Sequence, residues 1–349
     1  MGFRLRLPPV AERTGLRKHI AQRHLSDYNQ DCGSIITRKQ AKTMTYGFSL
    51  GKGTVIRFQG KARCRVLNNL CTQDLRTLTD GQALETFVTD VKGRTFGHGI
   101  AVAVDDEAFF VTVPDQGNKL VPHFDRYIIR EDAVVSDVSN DTQFWLFQDR
   151  TVAAKAFAIS SEDVPSSASA RLLECDEQRV VLLQAPWVGP DSILALVPSG
   201  CIDEKRIQRL GSEWIQSDMV QRNAWELARI EAFWPWYGID MDDRHLPQEV
   251  NRDGTSISFN KGCYLGQETI ARLDMLGKVQ KKLVKIHIDL DECLNTQTAI
   301  QADGKEVGTI CSAAFDPKNC RCVALAYVKR SHFSSGQVLN INGHAGTVC

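Results

Sequence analysis

The densest chemistry in the chain lies between residues 229 and 272, RIEAFWPWYGIDMDDRHLPQEVNRDGTSISFNKGCYLGQETIAR. Cys263 stands two residues after Lys261 and just ahead of a helix expected to begin near Gln267. The positive end of a helix and a neighbouring ammonium both favour the thiolate, the form that exchanges disulfides and ligates soft metals. Upstream, Phe233, Trp234, Trp236 and Tyr237 cluster in an irregular stretch after a helix that ends near Ala232. An aromatic wall beside a reactive thiol is a reasonable ligand site. The alternative is a buried structural cysteine among core aromatics, and the pattern alone leaves both open. A turn at Asp253-Gly254 is expected to lead into a short strand, and 262–266 to form a loop.

These residues need a scaffold. Thr54-Val55-Ile56-Arg57-Phe58 reads as a strand, and 61–70 has helical spacing at Ala62, Val66, Leu67 and Leu70. Residues 87–89, 99–104 and 108–113 are strand-like, with Asp105-Asp106-Glu107 as a hairpin turn. A helix is expected over 119–129 and mixed elements over 144–197. Two more helices are expected over 202–215 and 217–232, the latter with Ser217 as N-cap. After Asp274 short β-prone runs recur between turn signals such as Ala302-Asp303-Gly304 and Ile341-Asn342-Gly343, the pattern of a small β-barrel. The division predicted is an extension over 1–43, an α+β body over 44–275 with two lobes split near 145–205, and a β-barrel over 280–349.

Composition narrows the function. The 349 residues hold 42 basic and 42 acidic side chains, a net of zero. That average hides a head, 1–43, with nine basic and three acidic residues, and a remainder with 33 and 39. A body of net negative charge has little reason to bind nucleic acid directly. The Arg-rich head fits a disordered bacterial extension, hence a cytoplasmic protein, or a mitochondrial presequence, with Met44 an alternative start to Met1. No window approaches the apolar length of a membrane span. Eleven scattered cysteines, an odd number, argue for a reducing compartment. There is no C-x-x-C, and Cys320 and Cys322 fall on opposite faces of a strand, so no metal site is expected. Gly47-x-x-x-Gly51-Lys52 is one residue short of a P-loop, and no G-x-S-x-G elbow occurs.

Lys261-Gly262-Cys263-Tyr264-Leu265-Gly266-Gln267-Glu268 resembles the K-G-C-Y-x-G-Q-E motif of the YgfZ family, folate-binding relatives of the glycine-cleavage T-protein. Arg229-Ile230-Glu231-Ala232 resembles the superfamily's R-[LI]-E-A, and Leu246-Pro247-Gln248-Glu249 its L/I-P-Q-E segment. Residues 59–82 and 304–328 are similar to its opening helix and C-terminal barrel. The resemblance covers 45–349 and implies a T-protein-like fold, multi-lobed around a central folate channel. It implies that Glu231 faces the pterin of a tetrahydrofolate, that Trp225 stacks on it, and that Tyr264, Gln267 and Glu268 contribute to the same site. The branch's other folate-contacting tryptophan aligns near Gly53 and is not matched. Cys263 becomes the functional thiol, with Lys261 and Arg272 supplying positive charge. One thiol cannot hold a cluster alone, so ligation would need a partner or a small thiol. The implied role is an accessory factor, more than a turnover enzyme, for iron–sulfur proteins or cluster carriers, affecting tRNA modification indirectly. The competing reading is aminomethyltransferase of the glycine cleavage system. Against it, 93–98 lacks the aspartate that positions folate in that enzyme and carries His98 instead.

Overall fold

The computed structural model describes residues 47–175, 177–201, 218–277 and 279–349, without the side chains of 218–222. The basic head with Met44, the helix expected over 202–215 and the Ser217 cap lie outside the described residues.

The body is built on two five-stranded antiparallel sheets. Strands β2 (Thr54–Gln59), β3 (Gln82–Thr89), β4 (Thr95–Val104), β5 (Glu107–Thr112) and β6 (Val134–Asp137) form the first, in the order β3-β4-β5-β2-β6. Strands β1 (Gly47–Gly51), β7 (Thr142–Phe147), β8 (Ala170–Cys175), β9 (Gln178–Gln184) and β10 (Ile193–Pro198) form the second, in the order β1-β7-β10-β9-β8. Their apolar runs are nearly continuous because both faces are covered. In β2 and β4, Val55, Ile100 and Val102 face the second sheet. The alternate residues Ile56, Phe58, Ala101 and Ala103 pack beneath helices α1 (Arg63–Leu70) and α2 (Gly117–Asp125). The outer face of the second sheet, with Trp145, Leu182 and Ile193, is closed by α3 (Arg150–Phe157). The order of layers is therefore helices, sheet, sheet, helix.

Past the body, α4 (Asp218–Glu231) leads into a long irregular segment, the short helix α5 (Asp253–Ser256) and α6 (Gln267–Leu276). The chain ends in a closed antiparallel barrel, β11 (Lys281–Ile288), β12 (Ala299–Ala302), β13 (Lys305–Asp316), β14 (Arg321–Lys329), β15 (Val338–Ile341) and β16 (His344–Val348), in the order β11-β14-β13-β12-β15-β16. Strand β14 shows both faces in use. Cys322, Ala324, Ala326 and Val328 fill the barrel, while Val323, Leu325 and Tyr327 pack outward against Ile230, Tyr237, Met241 and Tyr264.

The fold expected from sequence, α+β with a T-protein-like body and a small terminal barrel, is the fold observed. Two local expectations change. The short strand after Asp253-Gly254 is instead the helical turn α5. The backbone N–H groups of Thr255 and Ser256 bond to the Arg252 carbonyl at 3.2 and 3.1 Å, and the Thr72 hydroxyl donates to Ser256 O at 2.6 Å. Side-chain bonds thus dock the segment where a β-ladder was expected. Helix α2 stops at Asp125, four residues short of the expected end.

Arg229, fully buried on α4, joins these parts. Its guanidinium donates to Asp240 Oδ2 at 2.6 Å, Glu226 Oε2 at 2.5 Å and the Trp234 carbonyl at 3.0 Å. Asp240 in turn accepts from Trp236 N at 2.8 Å and from the barrel hydroxyl of Ser312 at 2.5 Å. Removing one partner of such a buried pair strands the other charge. Arg229→Met is therefore expected to cost about 3–5 kcal/mol in urea unfolding. A loss of a few tenths would show that the node carries no structural weight.

Candidate functional site

The segment 261–268 is fixed from several sides. The Lys261 ammonium is buried and donates to the carbonyls of Asn68, Cys71 and Gln73 at 2.7, 2.8 and 2.7 Å. Burial, the dominant influence, pushes it down to about 8. The same ammonium lies 4.8 Å over the Tyr264 ring, which is itself buried. Leu265 N bonds to Asn69 O at 2.9 Å, and the Thr89 hydroxyl donates to Leu265 O at 2.6 Å. Gly266, at φ 78°, packs against the 90–93 turn, where a Cβ would lie 2.4 Å from Asp90 O. Only glycine tolerates both the conformation and the contact. Its position opens α6, with Glu268 exposed in the first turn and Gln267 N bonded to Tyr264 O at 3.2 Å.

Within this frame Cys263 is exposed. Beside the adjacent Gly262 lies a charge that sequence reasoning passed over. Arg76 Nη1 lies 3.9 Å from where a Gly262 Cβ would sit, and Arg76 is held by Asp74 through bonds of 3.0 and 2.7 Å. Lys261 instead spends its hydrogen bonds on the three carbonyls. Arg272 is exposed on α6. No local signal in the sequence placed Arg76 here, because the contact bridges almost 190 positions.

Trp225 and Glu231 share α4 but diverge. Six residues of helix turn through about 600°, leaving the two some 120° apart. Trp225, half-buried, meets Phe48 and Trp236 edge-on at 5.7 and 5.4 Å between ring centroids. Trp187 and Trp234 stack behind them at 5.7 Å. The indole N–H of the fully buried Trp187 has no partner. At Gly53 a Cβ would fall 1.9 Å from the Phe144 ring, so Phe144 fills the space beside that glycine, 6.1 Å from Trp187. Half-exposed aromatic faces fit a flat heterocycle such as a pterin.

The Glu231 carboxylate lies against the barrel. It accepts from Lys285 at 2.8 Å and Arg321 at 3.1 Å and lies 3.5 Å from His287. Burial raises this carboxyl, but Lys285 and the other cations outweigh it and hold it below its ordinary value.

His98, at the position compared with the aspartate of the transferase, is buried between the rings of Phe87 and Trp234, each 4.7 Å away. Its Nε2 lies 2.8 Å from Glu85 Oε1. Glu85 also accepts from Arg252 through both carboxylate oxygens, Nε to Oε1 at 2.7 Å, and from the Thr255 hydroxyl at 3.0 Å. Arg252 further covers the Trp234 ring at 5.2 Å. This cluster ties α5 to β3 and holds His98 in packing, where it acts as a structural ring.

A cavity of about 530 Å³ lies between the 238–245 segment and the barrel. His245 stacks on Tyr327 there at 4.5 Å, and Lys281 sits 4.8 Å over the same ring. No local pattern announces it, since its walls come from separate elements. Among the described residues no three His, Cys, Asp or Glu side chains converge as a metal site, and no helix is long and apolar enough to cross a membrane.

Comparison with known proteins agrees with this architecture. Residues 281–348 match the glycine cleavage T-protein C-terminal barrel domain. A chloroplastic protein of Arabidopsis thaliana, named as a transferase, is 24% identical over 307 residues, 82% of this chain and 66% of that protein. The match thus spans just under two thirds of that relative's length. The tRNA-modifying protein YgfZ of Colwellia psychrerythraea is 31% identical over 101 residues, 29% of this chain and 31% of the relative. Aminomethyltransferases are among the further relatives. The glycine cleavage system aminomethyltransferase T of Bartonella henselae superposes with a TM-score of 0.73 at 13% identity, covering 87% of this chain and 84% of that one. The fold is that of a T-protein, and the terminal barrel is the T-protein C-terminal barrel domain. Beyond the barrel, the chain is similar to YgfZ proteins and to aminomethyltransferases alike.

The Glu85 cluster makes a pH prediction. Burial alone would raise the Glu85 carboxyl, but bonds from Arg252 and His98 outweigh it and hold it at about 2, against an ordinary 4.5. A carboxyl depressed in the fold stabilises fully above its unfolded value, and that stability is lost as pH falls through the folded one. Glu85→Gln is expected to flatten the stability curve between pH 4.5 and 2 while lowering it at neutral pH. An acid limb as steep as that of the wild type would contradict the assignment.

Proposed function

We propose that this protein binds tetrahydrofolate and serves as an accessory factor in the assembly or repair of iron–sulfur proteins, affecting tRNA modification through them. The observation that carries the reading is the frame around Cys263. Lys261, Tyr264, Leu265 and Gly266 are each anchored to the body, while the one thiol of the segment is turned outward. A rigid loop with an accessible thiol suits transient ligation or exchange with a partner's cluster, the other ligands coming from that client or a small thiol. Trp225 and Trp236 would bind one face of the pterin. Glu231 would contribute from the barrel side by giving up one of its cations. Gln267 and Glu268, at the start of α6, belong to the same site in this reading, with Arg76 added as the nearby charge. The clients are iron–sulfur proteins or cluster carriers, and the acidic body gives no reason for direct contact with nucleic acid.

The second reading, aminomethyl transfer in glycine cleavage, is favoured by the names of several relatives. His98 speaks against it, because the position needed for an acid near the folate nitrogen is a histidine packed between two rings.

Tetrahydrofolate is expected to quench the tryptophan fluorescence of the purified protein saturably, and Trp225→Ala to weaken binding at least tenfold. No quenching by wild type, or an unaltered curve in the variant, would remove the folate assignment. In a deletion strain, Cys263→Ala is expected to leave iron–sulfur enzyme activities low although the protein accumulates normally. Full restoration by the variant would remove the thiol's role. Production of methylene-tetrahydrofolate from an aminomethylated lipoyl carrier would instead establish the transferase.

A further inference from the structure

A second pair of thiols lies inside the barrel, apart from Cys263. Cys322 opens the inward-facing row of β14 and is fully buried. Its strand neighbours are Ile288 on β11 and Phe315 on β13. Cys293 belongs to the loop that joins β11 to β12 and crosses this end of the barrel. It is half-buried against the same core, with its Sγ 3.4 Å from the carbonyl of Ala313, which pairs with Ala324 two residues along from Cys322. Both side chains pack into the same end of the barrel core, where Cys293 acts directly on the Cys322 thiol. A loop and a wall are thus brought together at their sulfur atoms, with only one of the two open to solvent.

We propose that Cys293 and Cys322 form a reversible disulfide that staples the β11–β12 loop to the barrel wall, with Cys293 as the residue that meets the oxidant. With a peroxide, the Cys293 thiolate attacks one oxygen. The S–O bond forms as the O–O bond breaks, and the departing oxide takes up a proton. Cys322 sulfur then displaces the oxygen of the Cys293 sulfenic acid, forming the S–S bond and releasing water. Two thiols are oxidised by two electrons and one peroxide is reduced; a dithiol reductant reverses the change. Burial shields Cys322 from direct attack, so it acts as the resolving thiol. The Cys293–Cys322 contact, the largest influence on that buried thiol, holds it below its ordinary value and favours the displacement. At the exposed Cys263, oxidation is expected to stop at sulfenic acid or at a mixed disulfide with a small thiol.

The test treats the full chain with stoichiometric hydrogen peroxide, blocks the remaining thiols and maps the peptides by mass spectrometry. The expected result is a cross-linked peptide pair containing Cys293 and Cys322, lighter by two hydrogens and released by dithiothreitol. Limited proteolysis should show the 289–298 loop cut several times more slowly in the oxidised protein. Cys293→Ser, on the half-buried side, should abolish both the cross-link and the protection. A map in which these two cysteines are recovered unlinked overturns the proposal, as does linkage of either to a different cysteine. Because the map is read on the wild-type chain, a variant that fails to fold does not cloud the result.

Discussion

The buried pair of Arg229 and Asp240 is the constraint on which the lower half of the molecule depends. A guanidinium with no exposure to solvent can remain charged only if each of its neighbours is an acceptor, and here they are two carboxylates and a carbonyl. Asp240 then needs donors of its own, and takes one from the 234–240 segment and one from the barrel strand β13. The bonds of the pair run to α4 itself, to the 234–240 segment and to the barrel. The helix, the aromatic segment and the barrel are thereby held in one relative position, and the face of α4 that bears Trp225 is set against the body. Hydrophobic contact alone would allow these surfaces to slide; directional bonds to a buried ion do not.

A second, partly buried ion, Arg252, plays the matching part on the other side of the aromatic segment. It binds Glu85 on the first sheet and covers Trp234, so that Trp234 is held between His98 and a cation. The tryptophan cluster therefore sits between two fixed arginines. Its half-exposed members, Trp225 and Trp236, are the surfaces that can meet a ligand, while Trp187 and Trp234 form the rigid backing. A wall of this kind is preorganised, because its side chains have little freedom left to lose on binding.

Much of this was legible in the chain itself. The strands of the first sheet and the hairpin at Asp105 followed from alternation and turn residues, both local. The barrel followed from evenly spaced turns. The expected loop over 262–266 ahead of a helix near Gln267 is the local structure observed. What was not legible depends on distant partners. Lys261 reads as a charge for its neighbour Cys263 because the two are close in sequence, yet its three acceptors lie about 190 residues upstream. A short strand was expected after the turn at Asp253-Gly254, while the bond that docks the observed helical turn comes from the distant Thr72. The same limit hid Arg76, the cavity beside Tyr327 and the meeting of Cys293 with Cys322.

The exchange of space between Gly53 and Phe144 has a consequence for how this family can change. A ring from the second sheet occupies the volume that a side chain at position 53 would require. Neither position can alter alone: a large residue at 53 collides with Phe144, and a small one at 144 opens a void next to Trp187. The two sites form a lock with two settings, aromatic from one strand or from the other. A lineage passing between them must change both residues together or cross a destabilised intermediate, so the setting a protein carries is a record of its descent as much as of its ligand.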